Sequence, residues 1–143
     1  MNFLSLLARP RKTNQHASGD GNETYESVLV IRSKSMPSVT FAIKRVSFGR
    51  RMDLSRRARE ISRKAEFLEA GGQLGEKIEA GILTQEIDTM YLAWGLASIQ
   101  GLTIDGEAAT AESLLEKGPE ELTREVVDAI KAQCGLSEVE RKN

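Results

Sequence analysis

The chain contains few of the residues on which metal sites, disulfides and aromatic cores depend. Its 143 residues include one cysteine, one histidine and three prolines, and only 5% are aromatic. A single cysteine forms no internal disulfide, and a single imidazole excludes a zinc finger or a multi-histidine metal centre. The scarcity of aromatic residues disfavours an aromatic-rich β-sandwich and favours helices separated by glycine-marked breaks. We therefore expect no metal and no cofactor.

Long apolar runs and catalytic motifs are missing as well. The apolar run Phe3–Leu7 is shorter than that of a secretory signal, and Arg9 follows it in place of a small-residue cleavage site. This run is either a short sticky helix, an unfolded start or an apolar anchor for a partner. No phosphate-binding glycine loop, nucleophile elbow or zinc-protease motif occurs. The sequence predicts a non-enzymatic cytoplasmic protein that makes no membrane contact.

Charge is divided sharply along the chain, although the net charge is only -1. Residues 1–64 contain 14 Lys and Arg against 5 Asp and Glu, whereas residues 65–143 contain 6 against 16. Such a division is typical of a nucleic-acid surface, of an acidic-partner surface or of halves that pack together. It also predicts weak head-to-tail self-association.

The composition predicts one folded domain with two extensions. Residues 1–26 form a predicted flexible segment, because the stretch 13–22 has no large apolar side chain that would anchor it in a core. His16 lies there and is predicted to be solvated. Residues 27–135 form the predicted globular domain, and residues 136–143 form an exposed C-terminal tail.

Two short strands are predicted at the start of this domain. Residues 28–31 are a β-branched and aliphatic run, and Val39, Phe41 and Ile43 alternate with smaller or polar residues. A loop containing Pro37 joins the runs, so the pattern predicts a β-hairpin. An isolated hairpin is marginal in water, and helices must cover it.

Two helices are predicted next, as an antiparallel hairpin that covers the strands. The break at residues 47–49 precedes the first helix, and the glycines at 71 and 72 end it. The second helix is predicted to begin near Leu74 or Glu76 and to end before Gly101. Apolar steps of four and three residues define both inner faces. These stripes are Leu54, Ala58, Ile61, Ala65 and Leu68, and then Leu83, Ile87, Met90, Trp94 and Ala97.

The last third of the domain is predicted to contain a small hairpin and two helices. Asp105-Gly106 favours a type I′ turn that directs Leu102 and Ile104 toward the core. A short helix is expected over 110–117 and a longer one over 119–133. Cys134 is expected to be a small buried residue or a thiol in the last helical turn, and not a nucleophile. The fold class is α+β and mainly α-helical.

The segment 44–64 carries nine positive charges, of which Arg56, Arg59 and Arg63 share one helix face. Three explanations remain open: solvated or internally paired charge, docking onto an acidic protein surface, and phosphate binding. Base recognition would need stacking platforms, and the segment and its neighbourhood offer only Phe48 and Phe67. The candidate partner-binding residues are Phe48, Arg50, Arg51, Arg56, Arg59, Arg63, Phe67, Tyr91 and Trp94.

Six short segments occur in an order that resembles a known family. They are residues 40–51, 65–70, 91–96, 104–107, 118–122 and 136–143. Together they resemble the small tail assembly chaperones of long-tailed bacteriophages and prophages. The resemblance covers about residues 27–143 and leaves residues 1–26 outside.

The resemblance implies a non-enzymatic role in virion assembly. Such a chaperone coats the long helical tape-measure protein in the host cytoplasm, helps to recruit tail-tube subunits and is then displaced, so we expect it to be absent from the mature virion. A tape-measure protein exposes apolar helix surface until the tube encloses it. The alternatives are a small nucleic-acid-binding regulator that uses the basic helix from Arg50 to Lys64, and an adaptor in the assembled particle.

The resemblance also implies a longer form of the protein, made by a -1 ribosomal frameshift near the end of the short form. Arg141-Lys142-Asn143 permits the slippery run A AAA AAC. This run is present if the arginine codon ends in A, the lysine codon is AAA and the asparagine codon is AAC. The same residues are also common at exposed polar termini, so the gene sequence decides between frameshift and coincidence.

Overall fold

A computed structural model describes residues 21–135 as an α+β domain that is mainly helical. The expectations for residues 1–20 and for the tail 136–143 lie outside the described residues. In chain order, the elements are β1 Val28–Arg32, β2 Thr40–Lys44, α1 Phe48–Gly71, α2 Leu74–Gly95, β3 Leu96–Gln100, β4 Thr103–Ile104, β5 Glu107–Ala108, α3 Ala111–Lys117 and α4 Glu120–Gln133.

The predicted hairpin of β1 and β2 is confirmed, and a third strand extends it. The sheet is antiparallel in the order β1-β2-β3. Leu29 pairs with Ile43 and Ile31 with Phe41, which places these apolar side chains on one face. The other face carries Val30, which is exposed.

The predicted end of the second helix is wrong. It was expected to continue almost to Gly101, but residues 96–100 form strand β3. Helix α2 ends at Gly95 instead, and Ala97 is exposed rather than part of an inner helix face. Ile99 pairs with Phe41 of β2 and is buried there. The free edge of β2 therefore overrides the local helical spacing, because pairing satisfies its backbone groups and adds an apolar side chain to the core.

Helix α1 begins six residues before the first apolar position of its predicted stripe. The break predicted at residues 47–49 is an N-cap: the backbone N–H of Arg50 donates to Ser47 Oγ over 3.1 Å. Phe48 and Gly49 thus lie inside the helix. Gly72, with a φ of 79°, ends it in the left-handed conformation that glycine favours.

The helices α1 and α2 form the predicted antiparallel hairpin. Residues at equal distances from its two-residue turn face each other, which matches Ala65 with Ala80 and Leu54 with Tyr91. All four side chains are buried. Small buried side chains such as Ala65 and Ala80 allow two helix axes to approach closely.

Only the base of this hairpin belongs to the main core. Leu54 and the end of α2 pack with the inner face of the sheet and with α4, and no residue between 55 and 86 belongs to that cluster. We call residues 55–86 the arm. Side chains of the core with almost no exposure include Val39, Phe41, Ile43, Leu54, Tyr91, Leu92, Leu114, Leu122, Val126 and Ile130.

The predictions for the last third are confirmed. Asp105 and Gly106 both have positive φ angles, 53° and 83°, and they join β4 to β5. Leu102 and Ile104 pack against the core. Thr110 caps α3 through a reciprocal pair of hydrogen bonds with Ser113.

Two glycines of α2 differ in what an added methyl group would meet, which gives a test of the packing. A Cβ on Gly95 would lie 2.6 Å from Ile130 Cγ2, so Gly95→Ala should lower the free energy of unfolding by about 1–3 kcal/mol through overpacking. A Cβ on Gly81 meets no atom within 4 Å. Gly81→Ala should therefore raise stability by about 0.5–1 kcal/mol through helix propensity. Urea denaturation of both variants measures this, and equal effects would contradict the described contact between α2 and α4.

Candidate partner-binding surfaces of the helical arm

Helix α2 is apolar on two opposite faces, and residues 21–135 cover only one of them. Its inner face contains Ala80 and Tyr91, which are buried against α1 and the core. On the opposite side Leu74, Ile78 and Ile82 follow one another at steps of four residues. Their exposed fractions are 75%, 56% and 54%. We call these three residues the apolar stripe.

Two glycines lie on the same outer side as the apolar stripe. Gly75 and Gly81 are exposed, and a Cβ built on either meets no atom within 4 Å. Glycine inside a helix costs about 0.5–1 kcal/mol relative to alanine, and no contact among residues 21–135 requires it at these positions. Beside an apolar stripe, glycine allows another backbone to approach closely.

The outer face of helix α1 is basic, as the sequence predicted. Arg56, Arg59 and Arg63 lie on the side opposite the buried Leu54 and Ala65. We call these three arginines the basic face. Phe48 and Phe67, which flank the basic face near the two ends of the helix, are 84% and 80% exposed.

The basic face is only weakly neutralised. Asp53 forms ion pairs with Arg50 at 3.1 Å and with Arg56 at 3.8 Å. Within residues 21–135 neither Arg59 nor Arg63 has an ion pair, and no ion pair joins the basic half of the chain to the acidic half. Pairing between the halves therefore does not explain the charge division in this part of the chain.

Three of the candidate binding residues are held within the domain. Tyr91 is only 1% exposed, so its ring belongs to the core and not to a surface that contacts a partner. Trp94 is half-buried and packs against the core. Arg51 donates from Nη1 to the carbonyl oxygen of Cys134, which places its positive charge at the C-terminal end of α4.

The neighbouring thiol is buried, as predicted. Burial raises the pKa of Cys134 to about 11, against the opposing effect of the Arg51 guanidinium. A thiol with this pKa remains protonated at neutral pH, and the thiolate is the nucleophilic form. The environment of Cys134 is that of a structural side chain.

The comparisons with known proteins give no family. No protein-family model, no curated protein and no solved structure matches the chain. Within the described residues, none of the helices has the combination of length and apolar character that crossing a bilayer requires.

The apolar stripe was missed in the sequence, although its spacing was visible. Leu83, Ile87 and Met90 form a second stripe on the same helix, and that stripe leads into the buried residues at the C-terminal end of α2. If that second stripe is taken as the buried face of the helix, Leu74, Ile78 and Ile82 resemble the isolated apolar residues that are common on protein surfaces. Their significance depends on knowing that nothing else in the described domain covers them.

A concave surface, separate from the two faces of the arm, lies between the edge of the sheet and helix α4. It is a groove of about 640 Å³, with Ile31, Phe41, Ala129 and Ala132 among its apolar lining. At one end, the loop after β1 binds the carboxylate of Glu125. We call this surface the edge groove.

The carboxylate of Glu125 accepts several hydrogen bonds from this loop. Ser33 Oγ and Ser35 Oγ each donate to Oε1 over 2.8 Å, and the backbone N–H of Lys34 donates to Oε2 over 2.7 Å. Burial raises the pKa of Glu125, but the hydrogen bonds from Lys34, Ser33 and Ser35 outweigh burial and hold the pKa below its usual value. The ionised carboxylate thereby fixes the loop on α4.

This arrangement predicts a stability contribution that depends on pH. Because the pKa of Glu125 is lower in the folded state, its contribution is complete above the unfolded pKa and is lost as the pH falls through the folded value. Glu125→Gln places an amide against donors and should cost about 1–2 kcal/mol at pH 7. Urea denaturation at pH 7 and near pH 3 should show a smaller difference from wild type at the lower pH.

Glu121 provides the matched control for this experiment. It lines the same groove one turn earlier in α4, and its carboxylate forms no hydrogen bond or ion pair within the described residues. Glu121→Gln removes only the favourable effect of a carboxylate in the first turn of α4, so it should cost less than about 1 kcal/mol at pH 7. An equal loss in both variants would show that the loop does not depend on Glu125.

Proposed function

We propose that this protein is a non-enzymatic chaperone that binds an amphipathic helical segment of another protein along the apolar stripe of α2. In the terms of the sequence resemblance, it is a phage tail assembly chaperone that acts in the host cytoplasm, and the bound segment belongs to the tape-measure protein. The observation that carries the proposal is the stripe itself: Leu74, Ile78 and Ile82 are uncovered on a projecting arm.

The stripe has the geometry that a partner helix needs. Residues four apart lie above one another on a helix, so the stripe extends over about 12 Å of α2. Full burial of an exposed leucine or isoleucine contributes about 1.5–3 kcal/mol. The three side chains are already partly buried and association costs several kcal/mol, so the stripe anchors a partner whose further contacts complete the affinity.

The two outer faces of the arm suit two different partners. The apolar stripe and the basic face lie on opposite sides of the hairpin, so occupation of one leaves the other accessible. The arginines attract an acidic protein surface and raise its association rate. We assign the apolar stripe to the tape-measure helix and the basic face to recruitment of the tail-tube subunit.

One observation favours a second function, the nucleic-acid-binding regulator. Three guanidinium groups project from consecutive turns of α1 on the basic face, a spacing that would allow phosphate contacts. Phe48 and Phe67, the exposed rings nearest to them, lie at opposite ends of the helix and form no continuous stacking platform. The basic face alone therefore supports sequence-independent attraction at most.

Substitutions in the apolar stripe test the chaperone proposal. Ile78→Glu and Ile82→Glu each place a charge where the partner helix must exclude water, and each should weaken binding at least tenfold, or about 1.4 kcal/mol. Gln85→Glu is the matched control, since it adds the same charge on the same outer side and removes no apolar surface. Its effect should remain within about threefold.

Co-expression with the products of neighbouring genes, followed by pull-down and titration with the captured protein, provides the measurement. Circular dichroism should show equal helix content in all variants, because residues 78, 82 and 85 are exposed. Unchanged affinity in both isoleucine variants would refute the apolar stripe as the binding surface. Capture of no long helical protein would refute the chaperone.

A separate titration decides the nucleic-acid alternative. Duplex and single-stranded nucleic acid should bind weakly at physiological salt, because the basic face offers few phosphate contacts. The triple variant Arg56→Gln, Arg59→Gln, Arg63→Gln should show the same weak binding. Micromolar or tighter wild-type binding that this variant loses would favour the regulator.

A further inference from the structure

Among residues 21–135, no strand pairs with the outer edge of β1. The N–H of Arg45 donates to the carbonyl of Ser27 over 2.8 Å, and the N–H of Ser33 donates to the carbonyl of Val39 over 2.9 Å. Antiparallel pairing alternates along a strand, so Leu29 and Ile31 also direct their backbone groups toward β2. The N–H and C=O groups of the three intervening residues, Val28, Val30 and Arg32, therefore face the open side.

This edge lacks the features that usually keep a strand from pairing with another chain. Strand β1 has no proline, its pairing with β2 has no bulge, and Arg32 at its end is its only charged residue. Val30, at the centre, is 68% exposed. Natural edge strands are commonly protected by such features, and an unprotected apolar edge serves as a template for pairing.

We propose that this edge is the interface between two copies of the protein, whose β1 strands pair antiparallel about Val30. The two three-stranded sheets then form one six-stranded sheet. In this register Val30 lies opposite Val30 of the second copy, and Val28 lies opposite Arg32 of the second copy. All three outward-facing residues of each strand exchange backbone hydrogen bonds, because the set 28, 30, 32 is symmetric about its centre.

The edge groove beside β1 fits the same occupant. Leu29 and Ile31 point to the inner face of the sheet, and the register places Leu29 of the second copy opposite Ile31 at the groove. The apolar lining there includes Phe41 and Ala129. Leu29 is buried in the core of its own copy, so the added strand supplies the missing backbone partners and places its sheet edge beside the groove.

Charge around the groove also suits a second copy. A two-fold interface brings the same patch of both molecules together, so a patch of one sign would repel itself. The groove carries both signs in equal number. Its basic residues are Arg32, Lys34 and Arg124, and its acidic residues are Glu121, Glu125 and Asp128.

The proposed dimer differs in kind from head-to-tail association driven by the charge division. Backbone hydrogen bonds and apolar contacts persist at high salt, whereas attraction between exposed charges is screened as the Debye length falls to about 3 Å at 1 M. The arm lies outside the proposed interface. A dimer therefore carries two arms, each with its own apolar stripe.

Val30→Lys tests the interface in the full chain. It places two ammonium groups directly opposite each other across the two-fold axis, where like charges destabilise strand pairing. The side chain of Val30 is exposed in the monomer, so the fold should tolerate the change. Sedimentation velocity over a roughly hundredfold concentration range should show a wild-type dimer whose fraction rises with concentration and that persists at 1 M salt. At about 0.15 M salt, where the two ammonium groups are less screened, the variant should dimerise at least tenfold more weakly. Val30→Thr, which keeps the β-branched shape, should dimerise like wild type.

Val30→Pro provides a second variant that acts through the backbone. It removes the N–H that faces the open side, which an edge strand tolerates and an interstrand ladder does not. It should likewise weaken dimerisation while the thermal unfolding midpoint of the monomer stays close to that of wild type.

Hydrogen exchange locates the contact. The amides of Val28, Val30 and Arg32 should become protected only as wild-type concentration rises, whereas those of Leu29 and Ile31 should be protected at all concentrations. A wild-type protein that remains monomeric, or a Val30→Lys variant that dimerises normally, would overturn the proposal. So would protection of the three outward amides that is independent of concentration, because another segment of the same chain would then cover the edge.

Discussion

The helical hairpin is much longer than the sheet that it helps to cover, and this mismatch determines the shape of the described domain. Helices of 24 and 22 residues extend over about 36 and 33 Å. The strands of the sheet have five residues each, or about 17 Å. Only the base of the hairpin can pack on the sheet, and the remainder must stabilise itself through contacts between its two helices.

The self-contained packing of the arm explains its unusual surface. Each helix buries one narrow face against the other, through small side chains such as Ala65 and Ala80. The opposite face of α2 nevertheless carries the apolar stripe, and an exposed apolar face on a projecting element contributes nothing to the stability of the isolated domain. A face of this kind has a physical explanation when another molecule covers it, and this is the basis of the chaperone proposal.

Helix α4 fixes the base from which the arm projects. Lys131 forms an ion pair with Asp88 of α2, and Ile130 packs against Gly95 at the end of the same helix. At its C-terminal end α4 also receives the guanidinium of Arg51 from α1. Through Glu125 it holds the loop after β1. One helix thus connects both helices of the hairpin to the sheet, although it is distant from them in the sequence.

Much of this fold could be predicted from the sequence, because helix faces, caps and the Asp105-Gly106 turn are local patterns. The strand β3 could not, since residues 96–100 continue the helical spacing and become a strand only through the open edge of β2. The spacing of apolar residues also identifies which face of a helix is apolar, but not how deeply each side chain is buried. It could not distinguish Tyr91, which is buried in the core, from Phe67, which is exposed on the arm.

The ion pairs exclude one explanation of the charge division, namely pairing between the basic and the acidic half of the described chain. Among residues 21–135, each ion pair joins two residues of the same half, so the acidic half does not neutralise the basic face in this way. Arg59 and Arg63 are exposed there. Exposed charges of one sign contribute little to folding, and they accelerate encounter with an acidic surface. Under the proposed function, the basic face therefore attracts one partner through charge, and the apolar stripe retains the other through apolar contact.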